Sequence, residues 1–148
     1  MKLSDVIKDR SVKASIVEEC TDLIDDQVSS KGGISGMALK TAYRVVKGVG
    51  PTYVPGAVGR VLPEAFKALD PMWNEGLQAG DPVGYLVEHR SRTADVILSV
   101  TDARVKKASG VVAGAYNKLR KSVKGDVEEA VPSLASIINK HVQIVQQA

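Results

Sequence analysis

The chain has 148 residues, of which 44% are apolar and 25% charged, with 20 Lys and Arg against 17 Asp and Glu. That is one domain's worth of chain, too apolar to stay disordered and long enough to bury a core without disulfides or metal. A net charge of +3 is too small to mark a polyanion binder by itself, the one cysteine, Cys20, excludes an intramolecular disulfide, and no run of about 18 apolar residues is present to span a membrane.

The opening segment, MKLSDVIKDR, lacks the apolar run of a signal peptide. With a single cysteine, this leads to the expectation of a reducing, cytoplasmic setting. Ser4 is placed to cap a short first turn or helix within residues 1–10. Over 11–30, Val12, Ile16, Cys20, Leu23, Ile24 and Val28 recur at helical spacing, with Glu18, Glu19, Asp22, Asp25 and Asp26 on the opposite face. Gly32 and Gly33 are expected to end this helix by supplying a left-handed cap. A second helix, 34–48, sets Ile34, Met37, Ala38, Thr41, Ala42, Val45 and Val46 on an inward stripe, and Lys40, Arg44 and Lys47 outside.

The segment GVGPTYVPGAVG punctuates the chain, and a third helix should follow with Pro55 in its first turn. Its stripe is Val58, Val61, Leu62, Ala65, Phe66 and Leu69, with a kink or break expected at Pro63. Asp70-Pro71 carries a start signal for a short helix, PMWNEGLQA, and Asp81-Pro82 repeats it for the longest helix, 82–107. Ser109-Gly110 is expected to break and recap the chain before VVAGAYNKLRKSV. Asp126 and Glu129 have capping-box spacing and should start the last helix, with Val127, Val131, Leu134, Ile137, Ile138, His141, Val142 and Val145 inward and a kink or delayed start at Pro132. No strand pattern or repeat is present. The expectation is an all-α single domain over 1–148, a compact bundle of about six or seven helices without a β-sheet.

The stretch SSKGGISGMALKTAYR is the nearest approach to a ligand motif. It is not a Walker loop, because Lys40-Thr41 lies too far beyond Gly36, and it is not a dinucleotide fingerprint, because it follows a helix and Lys31 stands where the first glycine belongs. It reads as a helix–helix corner in which Gly36 permits close approach. Cys20 falls on the buried stripe, where a thiol is inert. His89 is expected on a polar face, and His141 as a partly buried structural histidine. Trp73 is expected to plug one end of the core. With two histidines and one cysteine far apart, no catalytic, cofactor-binding or metal-ligating set emerges.

Charge is more informative. Arg104, Lys106, Lys107, Lys118, Arg120, Lys121 and Lys124 occupy 104–124 without an acid, and residues 31–67 are also basic, whereas residues 1–30 are acidic. The basic run is a candidate partner face. Glu18, Asp22, Asp25 and Asp26 form a candidate acidic one.

The stretches DLIDDQVSSKGGISGMALKTAYRVVK, VLPEAFKALDP, VILSVTDARV, AYNKLRKSV and VEEAVPSLASII resemble a small bacterial family without assigned function. The resemblance spans nearly the whole chain. It implies an all-helical bacterial protein and carries over no site residues.

The function expected from sequence is a non-enzymatic helical interaction or assembly domain, working through a protein partner or self-association, with its segregated charges matched across an interface. The alternative is a peripheral module that binds anionic lipid or nucleic acid through 104–124, helped by Lys40, Arg44 and Lys47.

Overall fold

The computed structural model describes residues 2–108 and 110–147. Among the described residues there are eight helices and no strand: α1 (Leu3–Val6), α2 (Arg10–Ser30), α3 (Gly33–Lys47), α4 (Tyr53–Gln78), α5 (Pro82–Glu88), α6 (Arg90–Val105), α7 (Gly110–Leu119) and α8 (Val123–Gln147). The all-α expectation holds, with one or two helices more than expected. The break expected at Ser109 lies outside the described residues.

Three boundaries differ from the sequence reading, each for a tertiary reason. The expected third helix and the short helix after Asp70 are one element, α4, at 26 residues the longest among the described residues. Pro63 and Pro71 each remove a helical hydrogen bond. Leu69, Met72, Trp73 and Gly76 nevertheless carry the buried stripe across Pro71 in helical register, and their burial offsets the loss. Asp70 therefore does not start a helix of its own. Its Oδ1 accepts the Leu3 N–H at 2.5 Å and the Ser4 N–H at 3.3 Å, and its Oδ2 accepts the Ser4 hydroxyl at 2.8 Å. Asp70 thus caps α1 across 66 residues of sequence, and Ser4, expected as the cap, is a donor instead.

The expected single helix over 82–107 divides at His89, whose backbone sits at φ −102°, ψ 37°. The Thr93 hydroxyl fills this joint, donating toward the carbonyls of Leu86 and His89 at 3.1 and 3.0 Å. Asp81 caps α5 as expected, accepting the Gly84 N–H at 2.9 Å. Helix α8 begins at Val123, ahead of the Asp126–Glu129 pair, and runs through Pro132. The two carboxylates that were to cap it bind Lys31 instead.

Packing is uneven along the bundle. Trp73, Phe66, Leu3, Ile16, Leu69, Met72, Leu86, Ile138, Val6 and Val131 are all less than 2% exposed. They come from α1, the first half of α2, the later part of α4, α5 and the middle of α8, and together form a closed end. Trp73 plugs this core, as expected. The other end is built from α3, α7, the last turns of α2, the start of α4 and the start of α8, and it is open.

Candidate functional site

The open end begins at the corner between α2 and α3. Lys31 is extended (φ −73°, ψ 127°) and stops α2, and the left-handed residue is Gly33 (φ 75°), which opens α3 rather than capping α2. A Cβ on Gly36 would lie 2.6 Å from the Lys31 carbonyl oxygen, so only glycine permits this turn. The Lys31 ammonium crosses to α8, reaching Asp126 at 2.8 Å and Glu129 at 3.2 Å. Asp126 and then Glu129 raise its pKa. The lysine beside the glycines is thereby committed to a structural bridge, and the corner reading stands against a phosphate cradle.

Helix α3 lies along α7 and touches α2 and α4 lightly. Its expected stripe splits into two faces. Ala42 is buried, as is Leu39, which the expected stripe did not include, whereas Ile34 is 88% exposed, Met37 69% and Val45 44%. Those three were expected in the core; they are outside it because, among the described residues, no helix covers this flank of α3. With Ala38 and Thr41 they form one wall of an open groove of about 760 Å³, whose other wall is Val111, Gly114, Ala115, Lys118 and Leu119 of α7. Val111 is itself 57% exposed. Lys40 and Arg44 follow Met37 at three and seven residues, so they flank the apolar strip. No Asp or Glu occurs on α3 or α7.

Behind α3 is a second space of about 420 Å³, lined from five helices: Leu23, Ile24, Gln27 and Val28 (α2), Leu39, Tyr43 and Val46 (α3), Val54, Ala57, Val58, Val61 and Phe66 (α4), Ile97 and Thr101 (α6), and Val123, Asp126, Val127, Ala130 and Leu134 (α8). Leu23, Ile24 and Val28 are only half-buried although they belong to the inward stripe, since they face this space and not other side chains. The space is as open to solvent as the α3/α7 groove, so it is an apolar cleft and not an enclosed void. Cys20 lines the same space, and burial pushes its thiol up to about 12, so it stays protonated and unreactive at neutral pH.

The candidate basic face is partly consumed within the chain. Arg104 pairs with Glu64 at 2.7 Å, Arg120 with Asp102 at 2.8 Å and Lys124 with Asp95 at 2.9 Å. Tyr116 also donates to Asp102, tying α7 to α6, and burial followed by that carboxylate raises its hydroxyl to about 12. Lys106, Lys107, Lys118 and Lys121 have no ion pair among the described residues. On the acidic face, Asp25 accepts the Tyr43 hydroxyl at 2.5 Å and lies 3.8 Å from Lys47. Glu18, Asp22 and Asp26 remain as an exposed stripe. The basic and acidic candidates therefore do not neutralise one another; most of the basic partners are acids of α4 and α6.

The two histidines are structural in their contacts. His89 is half-buried at the α5–α6 joint against the Tyr85 ring, at 4.4 Å between centroids, and not on the polar face expected. His141 is buried more completely than expected, its Nε2 bound to Glu19 and its Nδ1 without a partner. Among the described residues no group of three or more His, Cys, Asp or Glu is arranged to hold a metal ion, and no helix is long and apolar enough to cross a membrane.

Sequence reasoning found the cations of this end and missed the cavity and the exposed apolar strip. Helical periodicity reports which residues share a face, and it is silent on whether another helix covers that face.

No curated protein and no solved structure matches the chain. The profile of a family of unknown function, DUF6918, matches residues 3–142, and the chain belongs to that family.

Proposed function

We propose that this member of the family is a non-enzymatic peripheral module that docks its α3/α7 end on an anionic lipid surface. One observation carries the reading: Ile34, Met37, Val45 and Val111 are exposed on the same end as Lys40, Arg44, Lys118 and Lys121, with no acid on either helix. Apolar side chains enter the acyl boundary while the flanking ammonium and guanidinium groups meet lipid phosphates.

The competing partners fit this face less well. A nucleic acid would use the cations and leave Ile34 and Met37 in water. A second copy of the same face would set Lys40, Arg44 and Lys118 against their like. The acidic stripe of a second copy matches the charge and offers the groove nothing apolar. Cys20 and His141, both buried and held in structural surroundings, support binding over covalent chemistry.

Co-sedimentation tests the proposal, using vesicles of pure phosphatidylcholine and vesicles of phosphatidylcholine mixed with phosphatidylglycerol, at low and high salt. Binding to the anionic vesicles that weakens with salt is the expected result. Equal binding to both vesicles, or none to either, overturns it. A salt-resistant dimer that fails to bind vesicles favours the self-association reading.

A further inference from the structure

We propose that the cavity behind α3 binds one aliphatic chain of roughly 12 to 16 carbons bearing an uncharged polar head. The length follows from volume: an apolar cavity of about 150 Å³ holds one benzene, and this one measures about 420 Å³. The aliphatic character follows from the walls, which are mostly Val, Leu, Ile and Ala, with Phe66 and Tyr43 the aromatic members. The apolar walls of this cleft offer its water few polar partners, so an aliphatic chain that displaces that water is the favourable occupant.

The head is assigned from the polar members of the lining. Among the described residues no Lys, Arg or His contributes, and the one carboxylate, Asp126, is held by Lys31 at 2.8 Å. A carboxylate head would meet Asp126 without a free cation to receive it. The Thr101 and Tyr43 hydroxyls are engaged with Tyr116 and Asp25. The Gln27 amide lines the cavity and has no side-chain hydrogen bond among the described residues, so it is available to a hydroxyl, ester or amide. Helix α3 lines the cleft with Leu39, Tyr43 and Val46, while its other flank carries the exposed strip. This assignment does not depend on membrane docking.

Isothermal titration and thermal denaturation of the full chain with dodecan-1-ol and with dodecanoate, each below its aggregation concentration, test it. The alcohol should bind one to one, raise the melting temperature with dose, and bind at least about tenfold more tightly than the carboxylate. Ala130→Phe, which fills the cavity, should raise the melting temperature of the free protein and abolish the response to the alcohol. Ala57→Leu on the opposite wall serves if the larger substitution does not fold. Lys118→Glu should leave alcohol binding intact, which separates this site from the vesicle-binding face. No binding by the alcohol, tighter binding by dodecanoate, or full alcohol binding in a folded, cavity-filled variant would overturn the assignment.

Discussion

Ile34→Ser and Lys118→Glu probe the two components of the α3/α7 face separately. Ile34 is 88% exposed, so its removal should change folding stability by less than about 0.5 kcal/mol. Full transfer of an isoleucine side chain into an apolar phase contributes about 1.5–3 kcal/mol. Taking about 2 kcal/mol, Ile34→Ser should weaken partition onto anionic vesicles roughly 25-fold, and this loss should persist at high salt. Lys118→Glu changes the local charge by two units, and each unit near an anionic surface is worth about 1 kcal/mol. It should therefore cost a similar factor at low salt, shrinking as the Debye length falls. Leu77→Ser is the control, an exposed apolar residue (43%) at the end of α4 outside this face, and it should bind as the parent does. Vesicle titration followed by sedimentation, with a melt of each variant, measures all of these. If both face variants remain folded and partition like the parent, the reasoning fails. A loss confined to Lys118→Glu would leave a purely electrostatic contact and remove the insertion argument.

Three further outcomes follow from the interior. Asp70→Ala removes the cap of α1 and loosens the buried Leu3 and Val6, and should cost about 2–3 kcal/mol in urea unfolding, with amide protection lost in α1; unchanged α1 protection would refute the long-range cap. Glu19→Ala strips His141 of its one side-chain partner, and should cost about 2–3 kcal/mol in thermal or urea unfolding. Lys140, and after it His141, hold the Glu19 carboxyl below its ordinary value of 4.5, so its contribution is complete above that pH and is lost as pH falls through the lower folded value. The parent should accordingly lose stability on this acid limb more steeply than Glu19→Gln, and parallel curves would contradict the assignment. Gly36→Ala should destabilise by about 1–3 kcal/mol, because the new methyl would meet the Lys31 carbonyl oxygen, whereas Gly114→Ala, with nothing within 4 Å, should be neutral or stabilising by about 0.5–1 kcal/mol.

The parts of the fold that were legible in the sequence are those governed by local chemistry. Asp81-Pro82 opens a helix because the cap and the missing N–H act within one turn, and the α2 stripe announces its inward face because spacing is a local property. The misreadings involve groups whose partners lie far along the chain. Asp70 has the form of a local cap and serves a helix 66 residues away. Asp126 and Glu129 have the spacing of a capping box and serve Lys31. Pro71 signals a boundary that burial of Met72 and Trp73 overrides. Of the candidate site, the cations Lys40, Arg44, Lys118 and Lys121 were legible, because charge is written in composition. The exposure of Ile34 and Met37 was not, since it depends on which helix fails to lie over α3.

The contrast between the two ends has a compositional origin. A five-helix junction needs large side chains at its centre, and this chain has one Trp and one Phe. Trp73 is committed wholly to the closed end, and Phe66 stands at the boundary, buried in the core and touching the cavity. Beyond it the walls combine Leu and Ile side chains with Val28, Val46, Val54, Ala57, Val61, Val127 and Ala130, whose short side chains leave the cleft unfilled. Exchanging a few of these for Leu or Phe would fill it at native density, and doing so would raise stability if folding alone had shaped the sequence. The unfilled cleft is thus a departure from the rule that the closed end obeys, at the same end where the apolar strip and unpaired cations are gathered. Such local violations are expected where a protein holds a binding function in place of packing. That is why the cavity-filling substitutions are the sharpest test of the chain: they should make it more stable and less capable at once.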